Sequence, residues 1–207
     1  MMPHVMGLME AETAGFIENE LLAYGVGVHT NAGVTEINNK SVTLNNGKRL
    51  EADMVLLSIG VRPTLQLAID AGLKLGEAGG LLVNAELQTS DPDILAVGEC
   101  VEHRGTAYGL VAPLYEMAAV VADRLQDGSA TYTGSVTSTR LKVTGIDLFS
   151  AGDFAEGKDR EEIVLRDATN GVYKRLVIQE DKLIGIVLYG DTKDGAWFFQ
   201  LMREGAS

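Results

Sequence analysis

The spacing of apolar and polar positions changes several times along this chain, and each change marks an element. Phe16, Ile17, Leu21, Leu22 and Tyr24 recur near helical spacing in AETAGFIENELLAY, which predicts an amphipathic helix over 11–24 stopped by Gly25. VGVHT, GVTEIN and SVTL then alternate as short strands do, and Asn45-Asn46-Gly47 offers a hairpin turn before KRLEAD. Residues 53–60, DMVLLSIG, form a nearly continuous apolar run, the pattern of a strand buried on both faces of a parallel sheet. Gly60 and Pro63 interrupt it, and Thr64 is placed to cap a short helix, LQLAIDAG, closed by Gly72. Residues 81–83 and 94–97 predict further short buried strands, and Pro113 opens a helix, PLYEMAAVVADRLQDG, that ends at Gly128.

Beyond the link SATYTGS the pattern is that of a sheet. STRLKVTG, IDLFSAGD, EEIVLRDA, GVYKRLVI and KLIGIVLYG read as strands, with Asn170-Gly171 and Asp181-Lys182 at turns. DTKDGAWFFQLMREG reads as a terminal helix with Trp197, Phe198, Leu201 and Met202 on its apolar side. The middle block is α/β in character, and the last block is a compact sheet with one helix.

Composition narrows the function. Of 207 residues 46% are hydrophobic, enough for a real core. With 17 basic against 29 acidic residues the net charge is -12, and such a surface repels phosphate backbones, so nucleic acid is not an expected partner. No apolar run reaches the roughly 18 residues of a membrane span, and MMPHVMGLMEAE lacks the basic start of a secretory signal, which points to the cytoplasm and away from membranes. A single cysteine, Cys100, and the isolated His4, His29 and His103 supply no metal-ligand spacing, so no metal is expected within these residues.

The candidate chemistry centres on TSDPDILAVGEC, residues 89–100, where an apolar stretch runs into Gly98 and a carboxylate, Glu99. In open α/β sheets ligands gather beyond the carboxyl ends of strands, and a carboxylate there can accept hydrogen bonds from sugar or ribitol hydroxyls. The same spacing also suits a loop residue facing water. The free N–H groups at the start of the Pro113 helix form a second electropositive feature.

ADMVLLSIGVRPTLQLAIDAGL resembles the apolar strand with G-x-x-P of the two-dinucleotide-fold flavoprotein reductases, the pyridine nucleotide-disulfide oxidoreductase-like family. TSDPDILAVGEC resembles that family's second flavin fingerprint. GECVEHRGTAYGLVAPLYEMA and TSTRLKVTGIDLFSAGDF are similar to the flavin-containing portion of the large subunit of NAD(P)H-dependent nitrite reductases. The resemblance implies an α/β fold of partial FAD/NAD(P)-binding two-dinucleotide-fold domains, followed by a small α+β interface domain at the carboxyl end. It divides the chain into 1–52, the tail of an NAD(P)H domain, 53–130, the returning segment of an FAD domain, and 133–207, the interface domain.

It also implies FAD and NAD(P)H as cofactors of a larger oxidoreductase, with the rest of that chain as a partner; strands 53–60 and 94–97, without their usual sheet neighbours, would have uncovered edges, which predicts a homodimer or a partly disordered first half. Electrons would pass from NAD(P)H through FAD to an acceptor. The implied flavin contacts are Glu99, at the family's aspartate position and one methylene longer, with Gly98 at the close approach. Pro113 and Leu114 lie by the flavin ring edge, and Gly60 and Pro63 by the nucleotide side. None is a catalytic acid or base.

The family's glycine-rich G-x-G-x-x-G turns do not occur in this sequence, and Gly25 and Gly27 lack the third glycine. The chain is therefore expected to be a piece of the enzyme, with weak or no FAD binding and no turnover by itself. Open alternatives are a non-catalytic dimerisation module, or a fragment of an NADH oxidase or of a ferredoxin or rubredoxin reductase. Cys100 reads as a structural thiol, His103-Arg104 as a solvated loop, and Arg140 and Lys142 as strand-face charges. Trp197, Phe198 and Phe199 read as core and subunit-contact residues.

Overall fold

The computed structural model describes residues 2–6, 11–143, 145–155 and 157–205. The chain falls into two compact units, Met1–Leu57 with Ser138–Ser207, and Ser58–Thr137. Along the first half run α1 (Ala11–Ala23), β1 (Val34–Asn38), β2 (Ser41–Leu44), β3 (Arg49–Glu51), α2 (Gln66–Asp70), β4 (Leu81–Val83), β5 (Val101–His103) and β6 (Thr106–Ala107). Then follow α3 (Val111–Arg124), β7 (Ser138–Val143), β8 (Ile146–Gly152), β9 (Glu161–Asp167), β10 (Val172–Gln179), β11 (Lys182–Tyr189) and α4 (Gly195–Glu204).

In the first unit, β1, β2 and β3 make an antiparallel meander. The carboxyl-terminal strands form a five-stranded antiparallel sheet in the order β7-β8-β11-β10-β9. Strand β10 keeps the expected alternation, burying Tyr173, Arg175 and Val177. Strand β11 does not alternate: Gly185, Ile186, Val187 and Leu188 are all buried. Helices explain the exception. On one face Ile17 and Phe16 of α1 pack with Ile146, Leu148, Tyr173 and Val187. On the other, Phe198, Phe199 and Met202 of α4 pack with Phe149, Ala151, Ile186 and Leu188. A central strand covered on both faces must be apolar throughout.

Helix α1 is fastened further by its side chains. Arg166 of β9 donates both Nε and Nη2 to the Glu12 carboxylate, at 2.6 and 2.7 Å. Phe16 stacks on Tyr189 at 5.3 Å. Arg175, 3% exposed, is held by two bonds to Glu162 and one to the Phe154 carbonyl, the satisfaction a buried guanidinium requires. Arg140 donates to the Thr192 carbonyl, and the Lys142 side chain lies outside the described residues.

The second unit is a small sheet with two helices. Strand β4 pairs parallel to β5, and β5 antiparallel to β6. Its core gathers Val83, Leu87, Val101, Met117 and Tyr132. Helix α3 starts at Val111, two residues before the expected Pro113. Proline thus sits in the first turn, where its missing N–H forfeits no helical bond. Helix α2 is not capped by Thr64: Leu65 takes that place without a side-chain bond.

The architecture is mixed α/β, as expected, but two of the expected buried strands did not form. Residues 53–60 form no strand and pair with no described one, and Met54, Leu56 and Ile59 are 86 to 88% exposed. A strand is held by its neighbours' hydrogen bonds, and no described segment makes such bonds to this one. Residues 94–97 make only an isolated bridge, Gln88 to Leu95. The VGVHT segment is also irregular.

Candidate ligand cleft

Residues from separate stretches of the second unit converge on an open cleft of about 620 Å³. Its walls are 61–64 after the apolar run, Ala78 from the loop before β4, Glu99 and Cys100, and 107–109 at the end of β6. That volume is within the range of small-molecule sites.

Local backbone chemistry places these residues. Gly60 has φ +86° and Gly98 has φ +108°, left-handed conformations that other residues resist. Gly60 turns the chain so that Val61, Arg62, Pro63 and Thr64 line the cleft, and Gly98 delivers Glu99 and Cys100 to it. The Ala78 wall is pinned from behind by Glu102, which is 2% exposed and accepts a bond from the Gly80 N–H at 3.1 Å. A Cβ at Gly76 would lie 2.1 Å from that carboxylate carbon, so the loop closes around Glu102 only with glycine there.

Glu99 and Arg62 give the cleft one charge of each sign. The carboxylate suits sugar or ribityl hydroxyls, and the guanidinium suits a phosphate. Tyr108 adds an aromatic wall. These residues fit part of a flavin nucleotide.

The expected site residues divide. Pro63 and Glu99 line the cleft, and Gly60 and Gly98 are the turns beside it. Pro113 is buried and Leu114 half-buried against the Val83–Leu87–Met117 core, and neither is among the lining residues. Arg62, Ala78 and Tyr108 were not singled out from the sequence, and Thr64 was read only as a helix cap. Arg62 lay inside the quoted Gly60–Pro63 motif, the one signal available for it.

His103 corrects an expectation. It is 2% exposed on β5, not in a solvated loop, because β5 is the central strand between β4 and β6, while the turn carries Arg104 outward. Its ring lies 5.0 Å from Tyr132, and among the described residues its Nδ1 has no hydrogen-bond partner. Burial, and then the Arg104 charge, lower its pKa, favouring the neutral ring. In the other unit, Phe198 and Phe199 join the core as expected, while Trp197 is 59% exposed. Among the described residues no group of three or more His, Cys, Asp or Glu is placed to hold a metal ion, and no helix is long and apolar enough to cross a membrane.

The fold is that of a nucleotide-dependent reductase, and sequence comparison agrees. Residues 1–124 match the pyridine nucleotide-disulphide oxidoreductase family and 138–206 the rubredoxin NAD+ reductase C-terminal domain, so the chain belongs to the pyridine nucleotide-disulphide oxidoreductases, a family of FAD- and NAD(P)H-dependent enzymes. Within that family it is 39% identical to a nitrite reductase [NAD(P)H] of Bacillus subtilis over 99% of its own length and 26% of that protein. It is 37% identical to the nitrite reductase (NADH) large subunit of Escherichia coli, over 90% of the chain and 23% of the relative. The chain thus spans about a quarter of these relatives. Among solved structures, Bacillus anthracis CoADR-RHD superposes with a TM-score of 0.87 at 24% identity, covering 99% of this chain and 42% of that one. An FAD-dependent pyridine nucleotide-disulphide oxidoreductase from Desulfovibrio vulgaris gives 0.78 at 28% identity, covering 99% and 55%.

Proposed function

We propose that this chain is the carboxyl-terminal reductase segment of an FAD-dependent NAD(P)H oxidoreductase of the nitrite reductase large-subunit type. In such a protein, FAD held by these residues would supply the hydride-accepting chemistry that links the nicotinamide to a downstream acceptor. The chain's own residues bind and orient. Glu99 accepts hydrogen bonds from the ribityl hydroxyls, Gly98 permits close approach, and Gly60 and Pro63 border the nucleotide. Arg62 would pair with its phosphates, and Pro113 and Leu114 would fix the start of α3.

The observation that carries this reading is the convergence of Glu99, Arg62 and Pro63 on one cleft. The three-part division into 1–52, 53–130 and 133–207 belongs to the same proposal. So do cytoplasmic location and a homodimer joined through the carboxyl-terminal domain. The uncovered run 54–59 supports the proposal that its strand neighbours lie in the rest of the oxidoreductase. The rubredoxin reductase match at 138–206 favours one second reading, a rubredoxin or ferredoxin reductase on the same scaffold.

The test uses Cys100, the chain's single cysteine, which lines the cleft. FAD is expected to slow its alkylation saturably and weakly, with a dissociation constant below about 1 mM, and Glu99→Ala to weaken the protection. No NADH turnover is expected from the chain alone. Alkylation untouched by FAD at that concentration would reject the reading.

A further inference from the structure

The wall formed by Tyr108 is tied to a part of the chain outside the cleft. Its hydroxyl accepts the Ser135 backbone N–H at 3.1 Å, and its ring meets that of Tyr132 edge-on at 6.1 Å. Ser135 Oγ donates to the Glu116 carboxylate on α3 and lies 2.7 Å from the Tyr132 hydroxyl. A serine has a single O–H, and the carboxylate can only accept. The Tyr132 O–H must therefore be the donor to Ser135 Oγ. Tyr132 is 3% exposed, and burial first of all pushes its pKa up to about 12, which keeps that proton in place. Arg104 reaches the Thr133 carbonyl at 3.5 Å from the other side. Gly134, at φ +100°, leaves room for the Tyr108 hydroxyl, which a Cβ would approach to 3.3 Å.

We propose that Tyr108 is the aromatic wall against which the cleft's ligand lies, and that Ser135 is the positioning residue that sets it, through its backbone N–H and its bridge between Tyr132 and Glu116. The proposal rests on the reading of the cleft as a ligand site. It adds two residues and a direction of control: segment 132–135, where the chain leaves this unit, determines the shape of the site. A planar, electron-poor ring system is the ligand portion such a wall suits.

The experiment follows alkylation of Cys100 by iodoacetamide with no nucleotide present, so its outcome does not depend on flavin binding. Tyr108→Phe keeps the ring and removes the acceptor for the Ser135 N–H. Ser135→Ala removes the bridging hydroxyl, and Ser135→Thr retains it. Tyr108→Phe is expected to speed alkylation about fivefold, the population equivalent of one neutral hydrogen bond, Ser135→Ala by at least as much, since its hydroxyl makes two bonds, one to a carboxylate, and Ser135→Thr to restore the native rate. Unchanged rates in Tyr108→Phe and Ser135→Ala would overturn the proposal. So would an equal rise in Ser135→Ala and Ser135→Thr, which is general loosening. Glu116→Gln, at an exposed helix position, guards against misfolding of the others and is expected to give a smaller rise in the same direction; no rise there also counts against it. If the variants behave as expected while FAD protects Cys100 in none of them, the wall is coupled as stated and the flavin reading fails separately.

Discussion

At the scale of single residues, His103 makes the clearest pH statement. Its folded pKa lies below the ordinary 6.5 because burial, and secondarily Arg104, penalises the charged ring. Below pH 6.5 the unfolded chain takes up a proton that the folded chain refuses, so stability rises with pH across that window and falls as the solution is acidified. Thermal unfolding of the 58–137 unit is expected to shift downward between about pH 7 and 5, and His103→Gln to flatten the dependence. Glycines give a second residue-scale test. Gly152 and Gly185 face each other in the β8–β11 register, where a Cβ would meet the Ile184 carbonyl at 2.2 Å and the Asp153 carbonyl at 2.4 Å. Gly152 also has φ +69°. Gly152→Ala should cost about 1–3 kcal/mol or more in chemical denaturation.

At the scale of elements, α1 shows what periodicity could and could not reveal. Its apolar spacing and Gly25 stop were readable, and the helix ends at Ala23. That its Ile17 would complete the core of a sheet more than a hundred residues away was not, because a helix pattern names the buried face and not what covers it. Ile17→Ala is expected to destabilise the carboxyl-terminal sheet by about 2–5 kcal/mol, as truncating a core side chain does. The strands β7 to β11 were legible because apolar, β-branched stretches recur between polar turn segments such as Asn170-Gly171 and Asp181-Lys182. Strands β5 and β6 were not, since VEHRGT puts Glu102 and His103 in buried positions that sequence reasoning assigns to solvent. The 53–60 run failed for the opposite reason: its composition is that of a covered strand, but the cover is not among the described residues. In the cleft, Pro63 and Glu99 were legible through the family resemblance. Tyr108 was not, because only folding brings 107–109 to residues forty-odd positions earlier.

At the scale of the whole molecule, the two units should respond differently to acid. Glu12 and Glu162 lie below their ordinary 4.5, and Asp153 below 3.8, chiefly through hydrogen bonds from Arg166, Arg175 and Arg160. Their contribution is present above those ordinary values and lost as pH falls through the folded ones, modestly and less at high salt, since the carboxylates are partly exposed. The sheet unit should therefore hold until below about pH 4.5, after the 58–137 unit has begun to weaken. The exposed apolar run gives another whole-molecule test. Leu56→Lys and Ile59→Lys should change stability by less than about 0.5 kcal/mol and reduce concentration-dependent association in light scattering. The most direct measurement of the central claim is amide hydrogen exchange with and without FAD. Slowing confined to 60–64, 98–100 and 107–109 is expected. Slowing centred on 196–204, or none at saturating flavin, would contradict a flavin-facing Gly98–Glu99 turn.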